Sequence, residues 1–257
     1  MELFIYIISL IFGAIVGSFL NVCIYRIPNN LSLWWPPSTC PKCNTRIKFY
    51  DNIPVLSYLI LRGKCRQCKE KISIQYPLIE ATTSLLTLLV VYTLGLTYWT
   101  AVTLLVTYSL IVLSIIDFKL YIIPDRFSIG LTILGLIVFF INPAFSGNLT
   151  TKFLQCFAGG ATGFLGLWGM ALIGSFIFKK EAMGGGDIKL TAAVGTLTGV
   201  GGVISTLIIS SFLGLLYYVI LFILKKDPQN KAIPFGPFIS MGLFINILFP
   251  DNLLLLY

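Results

Sequence analysis

The 257-residue chain contains no histidine, and only 11% of its residues are charged. The absence of histidine excludes a Ser-His-Asp triad, a Cys-His pair and an H-E-x-x-H zinc peptidase built from this chain alone. If the protein catalyses proton transfer, the groups that carry the proton must be carboxylates, lysines, tyrosines or cysteines.

Apolar residues, by contrast, are abundant: they make up 57% of the chain, and the mean hydropathy is +0.92. Apolar runs long enough to cross a bilayer recur along the chain, which predicts an all-α polytopic membrane protein rather than a barrel. The first run has no basic segment before it and no cleavage site, so we expect it to be retained. We predict about eight transmembrane helices, at 3–22, 78–96, 99–116, 127–142, 153–178, 188–200, 203–224 and 237–256.

A polar segment, residues 26–76, separates the first two predicted transmembrane helices and carries nine Lys or Arg residues against Asp51 and Glu70. We therefore divide the chain into a first transmembrane helix (1–25), an extramembrane domain (26–76) and a helical core (77–257).

If the chain crosses the membrane eight times, the basic residues of most other loops lie on the same side of the membrane as this segment. They are Lys119, Arg126, Lys179, Lys180, Lys189, Lys225, Lys226 and Lys231. Of the 18 basic residues only Lys152 falls on the other side. The positive-inside rule then places segment 26–76 in the cytoplasm and both termini outside. The concentration of basic residues on one side accounts for most of the net charge of +8. Anionic lipid is a sufficient partner for these residues, so we do not expect the protein to bind nucleic acid.

Four cysteines of the extramembrane segment form two Cys-x-x-Cys pairs: Cys40 with Cys43, and Cys65 with Cys68. Two such pairs, separated by residues 44–64, match a tetrahedral four-thiolate zinc site. Two disulfides are the alternative, but they are rare in the reducing compartment that the charge bias predicts. With no open ligand position the zinc would be structural, holding together a segment too small to have much core. We expect Cys23 and Cys156, in or beside apolar runs, to be inert.

Three acidic residues lie at the predicted cytoplasmic ends of transmembrane helices: Asp117, Asp125 and Asp187. Ionisable groups at this depth are costly and therefore functional candidates. Helix capping is the alternative for Asp187, and it is the stronger interpretation of Asp125, since Pro124-Asp125 before an apolar run is an ordinary helix start. Two facing carboxylates could share a proton, one acting as acid while the other activates water.

Three consecutive glycines, residues 184–186, precede Asp187. They permit positive φ and let another backbone come close, so an extended peptide could present its scissile bond to Asp187. A flexible hinge is the alternative. Asp117 and Asp187 could meet only if the third and sixth predicted helices are neighbours.

Two further stretches permit both a structural and a functional interpretation. In GSFLNVCIYRIP, residues 17–28, the glycine pair Gly13 and Gly17 favours helix packing, while Asn21 and Arg26 could contact either a substrate or lipid headgroups. In IPFGPF, residues 233–238, the prolines and glycine predict a rigid turn, either a connector or one wall of a cleft.

Together these stretches resemble a known family, the bacterial type IV prepilin peptidases, which are G-x-G-D intramembrane aspartyl proteases. The matching pieces keep the family's order through nearly the whole chain: GSFLNVCIYRIP, CPKC, CRQC, LRGKC, YPLIE, IDFKLYIIPD, GGGDIKL and IPFGPF. G-x-G-D alone is weak, but joined to the tetracysteine insert and the D…PD stretch it is specific.

The resemblance implies two activities. Members of the family remove the leader of type IV pilins, pseudopilins or competence pilins after a glycine at the cytoplasmic membrane face, and then N-methylate the new N-terminal residue with S-adenosylmethionine. It implies Asp117 and Asp187 as the catalytic pair, with Gly184, Gly186, Asp125 and Lys189 supporting the substrate and its loop. The methyl transfer rests on the resemblance alone. Glu80 of YPLIE is a candidate contributor, and no residue identifies the cofactor site.

A transporter or membrane scaffold that binds ions through the acids is the rival function. It would place acids at the bilayer midplane beside broken helices, whereas here they lie at helix ends. The sequence identifies neither the particular pilin substrate nor the oligomeric state.

Overall fold

The structure of the protein is a computed structural model that describes residues 2–180, 183–224 and 233–249. The described helices are α1 (Glu2–Arg26), α2 (Leu56–Ile60), α3 (Gln75–Leu94), α4 (Tyr98–Leu120), α5 (Asp125–Val138), α6 (Leu149–Phe178), α7 (Gly185–Ile223) and α8 (Gly236–Leu248). Two short 3₁₀ helices span Phe49–Asn52 and Phe139–Ile141. Within the described ranges the only β-pairing is two isolated bridges, so the predicted all-α class is confirmed.

Five of the described helices are long and apolar enough to cross a membrane: α1, α3, α4, α6 and α7. Helices α5 and α8 have 14 and 13 residues, fewer than the ~20 that a perpendicular crossing needs. Within the described residues each predicted transmembrane segment lies mainly in helix, but the count of eight stays a prediction. The last predicted segment continues past Phe249, outside the described residues. Lys225, Lys226 and Lys231 of the preceding loop also lie outside them.

Helix α7 is interrupted at Gly199, where φ is 72° and ψ is −173°. The predicted helices 188–200 and 203–224 meet at this break. Buried Asn142 supports it, because its Nδ2 donates to the carbonyl of Leu197 at 2.7 Å and its Oδ1 accepts from the backbone N–H of Ala144 at 2.9 Å. The buried carbonyl of Leu197, two residues before the break, is thereby paired with a side chain.

The contacts divide the chain into two compact units, Met1–Thr100 and Ala101–Tyr257. In the first unit, α1 packs closely on α3 through two glycines. A Cβ added at Gly13 would lie 2.7 Å from Cα of Ser84, and one added at Gly17 would lie 2.7 Å from Cα of Glu80. The predicted packing role of this glycine pair is therefore confirmed.

In the second unit, α7 packs on α5, α6 and α8. Its contact with α6 brings the backbones together at Gly159 and Gly195, where a Cβ on either glycine would overlap the carbonyl of the other. On the α8 side, a Cβ at Gly242 would lie 2.9 Å from the carbonyl oxygen of Thr206. These close approaches fix the position of α7 against α6 and α8. They therefore also fix the first turn of α7, which carries Asp187.

Candidate active site and metal centre

Asp117 lies in the last turn of α4 and is 5% exposed. Its Oδ2 accepts a hydrogen bond of 3.0 Å from the backbone N–H of Gly236, the first residue of α8. No side chain would fit between them, because a Cβ at Gly236 would lie 2.7 Å from that oxygen. The start of α8 is thus built directly against this carboxylate.

Ile123, in the loop between α4 and α5, connects this contact to the glycine motif. A Cβ added at Gly186 would lie 2.9 Å from Cβ of Ile123, and one added at Gly236 would lie 3.0 Å from its Cδ1. The end of α4, the start of α7 and the start of α8 therefore converge around one buried isoleucine.

Asp187 is the third residue of α7, and its backbone N–H donates to the carbonyl of Gly184 at 3.1 Å. Its carboxyl group is close enough to Asp117 for the charge of one to act on the other. The Oδ1 atom is buried and has no hydrogen-bond partner within the described residues. A capping carboxylate would instead accept from the helix N–H groups, so the capping interpretation does not describe this side chain.

Asp125 stands apart from this pair. It is the first residue of α5, as the Pro124-Asp125 pattern predicts, but the N-cap position is Pro124 and the described structure records no side-chain capping bond there. Its Oδ1 instead receives a 2.8 Å ion pair from Lys189 of α7. Both side chains are about half exposed, so this pair ties α5 to α7 but contributes little energy.

The glycine motif differs from the expectation in one respect. None of residues 184–186 adopts a positive φ. Gly184 is the N-cap of α7 with φ −68°, and Gly185 and Gly186 already belong to the helix. What requires glycine at residue 186 is the close approach of Ile123, whereas a Cβ at residue 185 would meet nothing within 4 Å.

The four predicted zinc ligands form one cluster. Their sulfur atoms all lie within 4.8 Å of one another, and those of Cys40 and Cys68 are 3.8 Å apart. A regular tetrahedron with zinc–sulfur bonds of about 2.3 Å has sulfur–sulfur edges of about 3.8 Å. The cluster therefore fits a four-thiolate zinc site. Cys23 and Cys156 are buried elsewhere.

Each Cys-x-x-Cys pair lies in a short hairpin, and the two hairpins have the same local structure. The N–H of Cys40 donates to the carbonyl of Thr45 at 3.0 Å, and the N–H of Cys65 donates to that of Glu70 at 2.8 Å. Each hairpin is closed by one β-bridge, Thr39 with Arg46 and Lys64 with Lys71. In each hairpin the residue directly after the second cysteine has a positive φ; these residues are Asn44 and Lys69.

Hydrogen bonds favour the thiolate form that binds metal at Cys43 and Cys65, whereas burial and the neighbouring thiols raise the pKa of Cys68. Bonds from the side chain and backbone of Thr45 lower the pKa of the Cys43 thiol to about 6. The backbone N–H groups of Cys68 and Gln67 likewise lower the pKa of Cys65. An ion pair of 2.6 Å between Arg66 and Asp51 fastens the second hairpin to the segment between the two.

Arg26 and Asn21, whose roles the sequence leaves open, are both engaged with backbone. The Arg26 guanidinium donates to the carbonyls of Ser32 at 2.8 Å and Pro36 at 2.5 Å, which folds the start of the insert back onto the end of α1. Asn21 Nδ2 donates to the carbonyl of Tyr76 at 3.2 Å across the α1–α3 contact.

Sequence reasoning missed Gly236 and Ile123 as parts of the site. The IPFGPF pattern predicts a rigid turn that is either a connector or one wall of a cleft, but it does not indicate that its glycine meets a carboxylate 119 positions earlier. For Ile123 no sequence signal exists, because an isoleucine between helices is ordinary.

Comparison with known proteins gives consistent matches over most of the chain. Residues 11–94 match the bacterial peptidase A24 N-terminal domain, and residues 104–219 match the type IV leader peptidase family. A protein named prepilin leader peptidase/N-methyltransferase from Pseudomonas putida is 35% identical over 268 residues, covering 96% of this chain and 91% of its own. Proteins of the same name from Pectobacterium carotovorum (35%, covering 90% and 88%) and Neisseria gonorrhoeae (33%, covering 91% and 87%) are similar. No solved structure matches this chain.

Proposed function

Because the chain belongs to the type IV leader peptidase family, we propose that it removes the leader of type IV prepilins or pilin-like proteins and N-methylates the new N-terminal residue. Cleavage falls after a glycine of the substrate, at the cytoplasmic face of the membrane. The observation that carries this proposal is the convergence of Asp117 and Asp187 from distant parts of the chain around Ile123.

Asp117 and Asp187 are the catalytic dyad of this proposal. Of the two, Asp117 is the better suited to act as the base that activates water, because its carboxylate accepts an N–H from Gly236 whereas a buried oxygen of Asp187 has no partner within the described residues. The buried, unpartnered oxygen of Asp187 is suited to the protonated form, which donates to the substrate carbonyl. Water attacks the carbonyl carbon as Asp117 takes one of its protons and Asp187 gives its proton to the carbonyl oxygen. Asp117 then passes its proton to the leaving nitrogen as the peptide bond breaks, and Asp187 regains a proton from the diol.

Gly184 leaves the space beside Asp187 free for the substrate, because a Cβ there would lie 3.5 Å from the Asp187 Oδ2, and Gly186 supports the loop by letting Ile123 pack against the start of α7. The pair of Asp125 with Lys189 supports the same loop by joining α5 to α7. The apolar stem of the substrate lies among the membrane helices. In this proposal the tetracysteine insert and the dyad face the cytoplasm, with both termini outside.

Two further components complete the proposal. Cys40, Cys43, Cys65 and Cys68 hold one zinc ion, which stabilises the insert because a segment of this size has little apolar core. S-Adenosylmethionine supplies the methyl group. The parts of the chain are then a first transmembrane helix (1–25), the zinc domain (26–76) and the protease core (77–257).

The transporter alternative is disfavoured by the positions of the acids. Asp117 lies three residues before the end of α4, and Asp187 is the third residue of α7, so both acids lie at helix ends.

Incubation of the purified full-length protein with a prepilin and S-adenosylmethionine tests the proposal, with the mass of the pilin as the readout. We expect loss of the leader followed by gain of one methyl group. An unchanged prepilin mass, under conditions in which a related prepilin peptidase cleaves it, contradicts the proposal and favours the transporter.

A further inference from the structure

A second buried polar cluster lies in the first unit, where α1 packs on α3. Glu80 of α3 is 8% exposed, and Asn21 of α1 is 4% exposed. Glu80 Oε2 accepts from the backbone N–H of Val55 at 2.7 Å, and the Ser18 side chain also hydrogen-bonds to this carboxyl group. The hydrolysis proposed above uses neither Glu80 nor Asn21.

The donors around Glu80 are all neutral. Within the described part of the chain the recorded ion pairs join Arg66 to Asp51 and Lys189 to Asp125, and neither involves Glu80. A buried carboxylate without a cation is costly unless it takes up a proton or a bound group brings the missing positive charge.

Asn21 adds a second acceptor that lacks a donor. Its Nδ2 lies 3.3 Å from the carbonyl of Gly17 and 3.2 Å from that of Tyr76. Because both neighbours are acceptors, the amide cannot be turned around, and its oxygen must point away from them. That oxygen is buried and has no partner among the described residues.

The two acceptors are neighbours on the helix contact. Gly17 packs against Glu80, and Asn21, one turn further along α1, bonds to Tyr76, one turn earlier on α3. One helical turn is about 5.4 Å. A spacing of that order is one that a single nitrogen could bridge with two hydrogen bonds of about 2.9 Å each.

We propose that Asn21 Oδ1 and the Glu80 carboxylate bind a primary amine, and that this amine is the new N-terminus of the cleaved pilin. This assignment rests on the proposed function, because only a methyltransferase acting after cleavage needs to hold that amine. Glu80 receives the proton that the amine must lose. In the transfer the nitrogen bonds to the methyl carbon of the sulfonium donor, and the sulfur–carbon bond breaks with its electron pair left on sulfur.

The test is a binding measurement that needs no turnover. Full-length protein in detergent is titrated with a peptide of the mature pilin N-terminus, once with a free amine and once N-acetylated. We expect the wild type to prefer the free amine about 10-fold or more, as for a charge-assisted hydrogen bond. Glu80→Gln, which keeps an acceptor for Val55, and Asn21→Leu should both lose that preference.

One variant and one folding measurement control for general damage to the helix contact. Ser84→Ala removes a hydrogen bond of 2.7 Å that crosses the same α1–α3 contact to Leu10, and it should keep the preference. Protease resistance of Asn21→Leu and of the wild type in detergent shows whether the Asn21→Leu protein has folded.

Turnover supplies a second readout. Glu80→Gln should still cleave a prepilin while methylating the product ~100-fold more slowly or worse, the usual loss for a missing general base. A wild type that cleaves and methylates but shows no amine preference overturns this assignment and leaves the proposed function standing. Equal preference in Glu80→Gln and the wild type also overturns it, whereas a wild type inactive in both reactions refutes the proposed function itself.

Discussion

Asp117 and Gly236, 119 positions apart in the chain, are joined by a hydrogen bond of 3.0 Å from the glycine N–H to the aspartate Oδ2. The glycine is required here by distance rather than by backbone conformation, since it has no positive φ and a Cβ would lie 2.7 Å from the carboxylate oxygen. The start of α8 is therefore part of the candidate site, because it contacts the Asp117 carboxylate directly and restricts its position.

Gly236→Ala should consequently slow leader cleavage. Its methyl group must displace either Asp117 or Ile123, and misplacing a catalytic group by about 1 Å can cost ~100-fold in rate. Gly214→Ala on α7 is the control, because a Cβ there would lie 3.6 Å or more from its neighbours. Cleavage rates on one prepilin compare the two, and equal rates would mean that α8 does not position the dyad.

Replacing either member of the dyad with asparagine should abolish cleavage without unfolding the protein. We expect Asp117→Asn and Asp187→Asn to lose on the order of 10⁴-fold in rate, as when one member of a catalytic set is removed. Asp125→Asn is the matched comparison, and it should keep measurable cleavage because its carboxylate pairs with Lys189. Full cleavage by either dyad variant would falsify the assignment.

Adjacent glycines of the GGGD motif should respond differently to alanine. Gly186→Ala places a methyl group 2.9 Å from Cβ of Ile123, a branched side chain that cannot move aside cheaply, whereas Gly185→Ala meets nothing within 4 Å. We expect Gly186→Ala to reduce cleavage about 10-fold or more and Gly185→Ala to leave it near the wild-type rate. If the glycines serve as a flexible hinge instead, both substitutions should impair cleavage to a similar extent.

These sites differ in how far the sequence determines them. The tetracysteine cluster is predictable because each Cys-x-x-Cys pair is a local turn, and only two such turns have to meet. The acids at the helix ends are visible for a similar reason, since hydropathy locates the ends. What the sequence cannot supply is the set of long-range contacts: Ile123 between two glycines, Gly236 on Asp117, and the buried oxygen of Asn21 all depend on which helices are neighbours.

The break in α7 is another feature that the sequence predicts only in part. A glycine-rich stretch between two apolar runs predicts two helices, but it does not indicate that Gly199 alone carries the positive φ. Nor does it identify Asn142, 55 positions before Leu197, as the side chain that donates to the carbonyl of Leu197.

Zinc removal should unfold the insert. Metal analysis of the purified protein should find about one zinc per chain, as a four-thiolate site requires. Cys43→Ser should lose that zinc and expose residues 26–76 to protease, because the metal supplies folding energy that a small segment lacks. Cys23→Ala, buried outside the cluster, should retain it. A metal-free wild type with oxidised cysteines would instead support the two-disulfide alternative.

Asn142→Leu should destabilise the second unit more than any exposed polar substitution nearby. The substitution removes the hydrogen bonds to the carbonyl of Leu197 and the N–H of Ala144, and the buried carbonyl that loses its partner costs about 1–3 kcal/mol. Gln155→Ala is the control, because its side chain accepts from Ser146 at 3.2 Å in an exposed position, where substitutions change stability by about 0.5 kcal/mol or less. Unfolding in detergent measures both variants. If Asn142→Leu unfolds with the same free energy as Gln155→Ala, then Asn142 does not stabilise the break at Gly199, and the position of Asp187 does not depend on it.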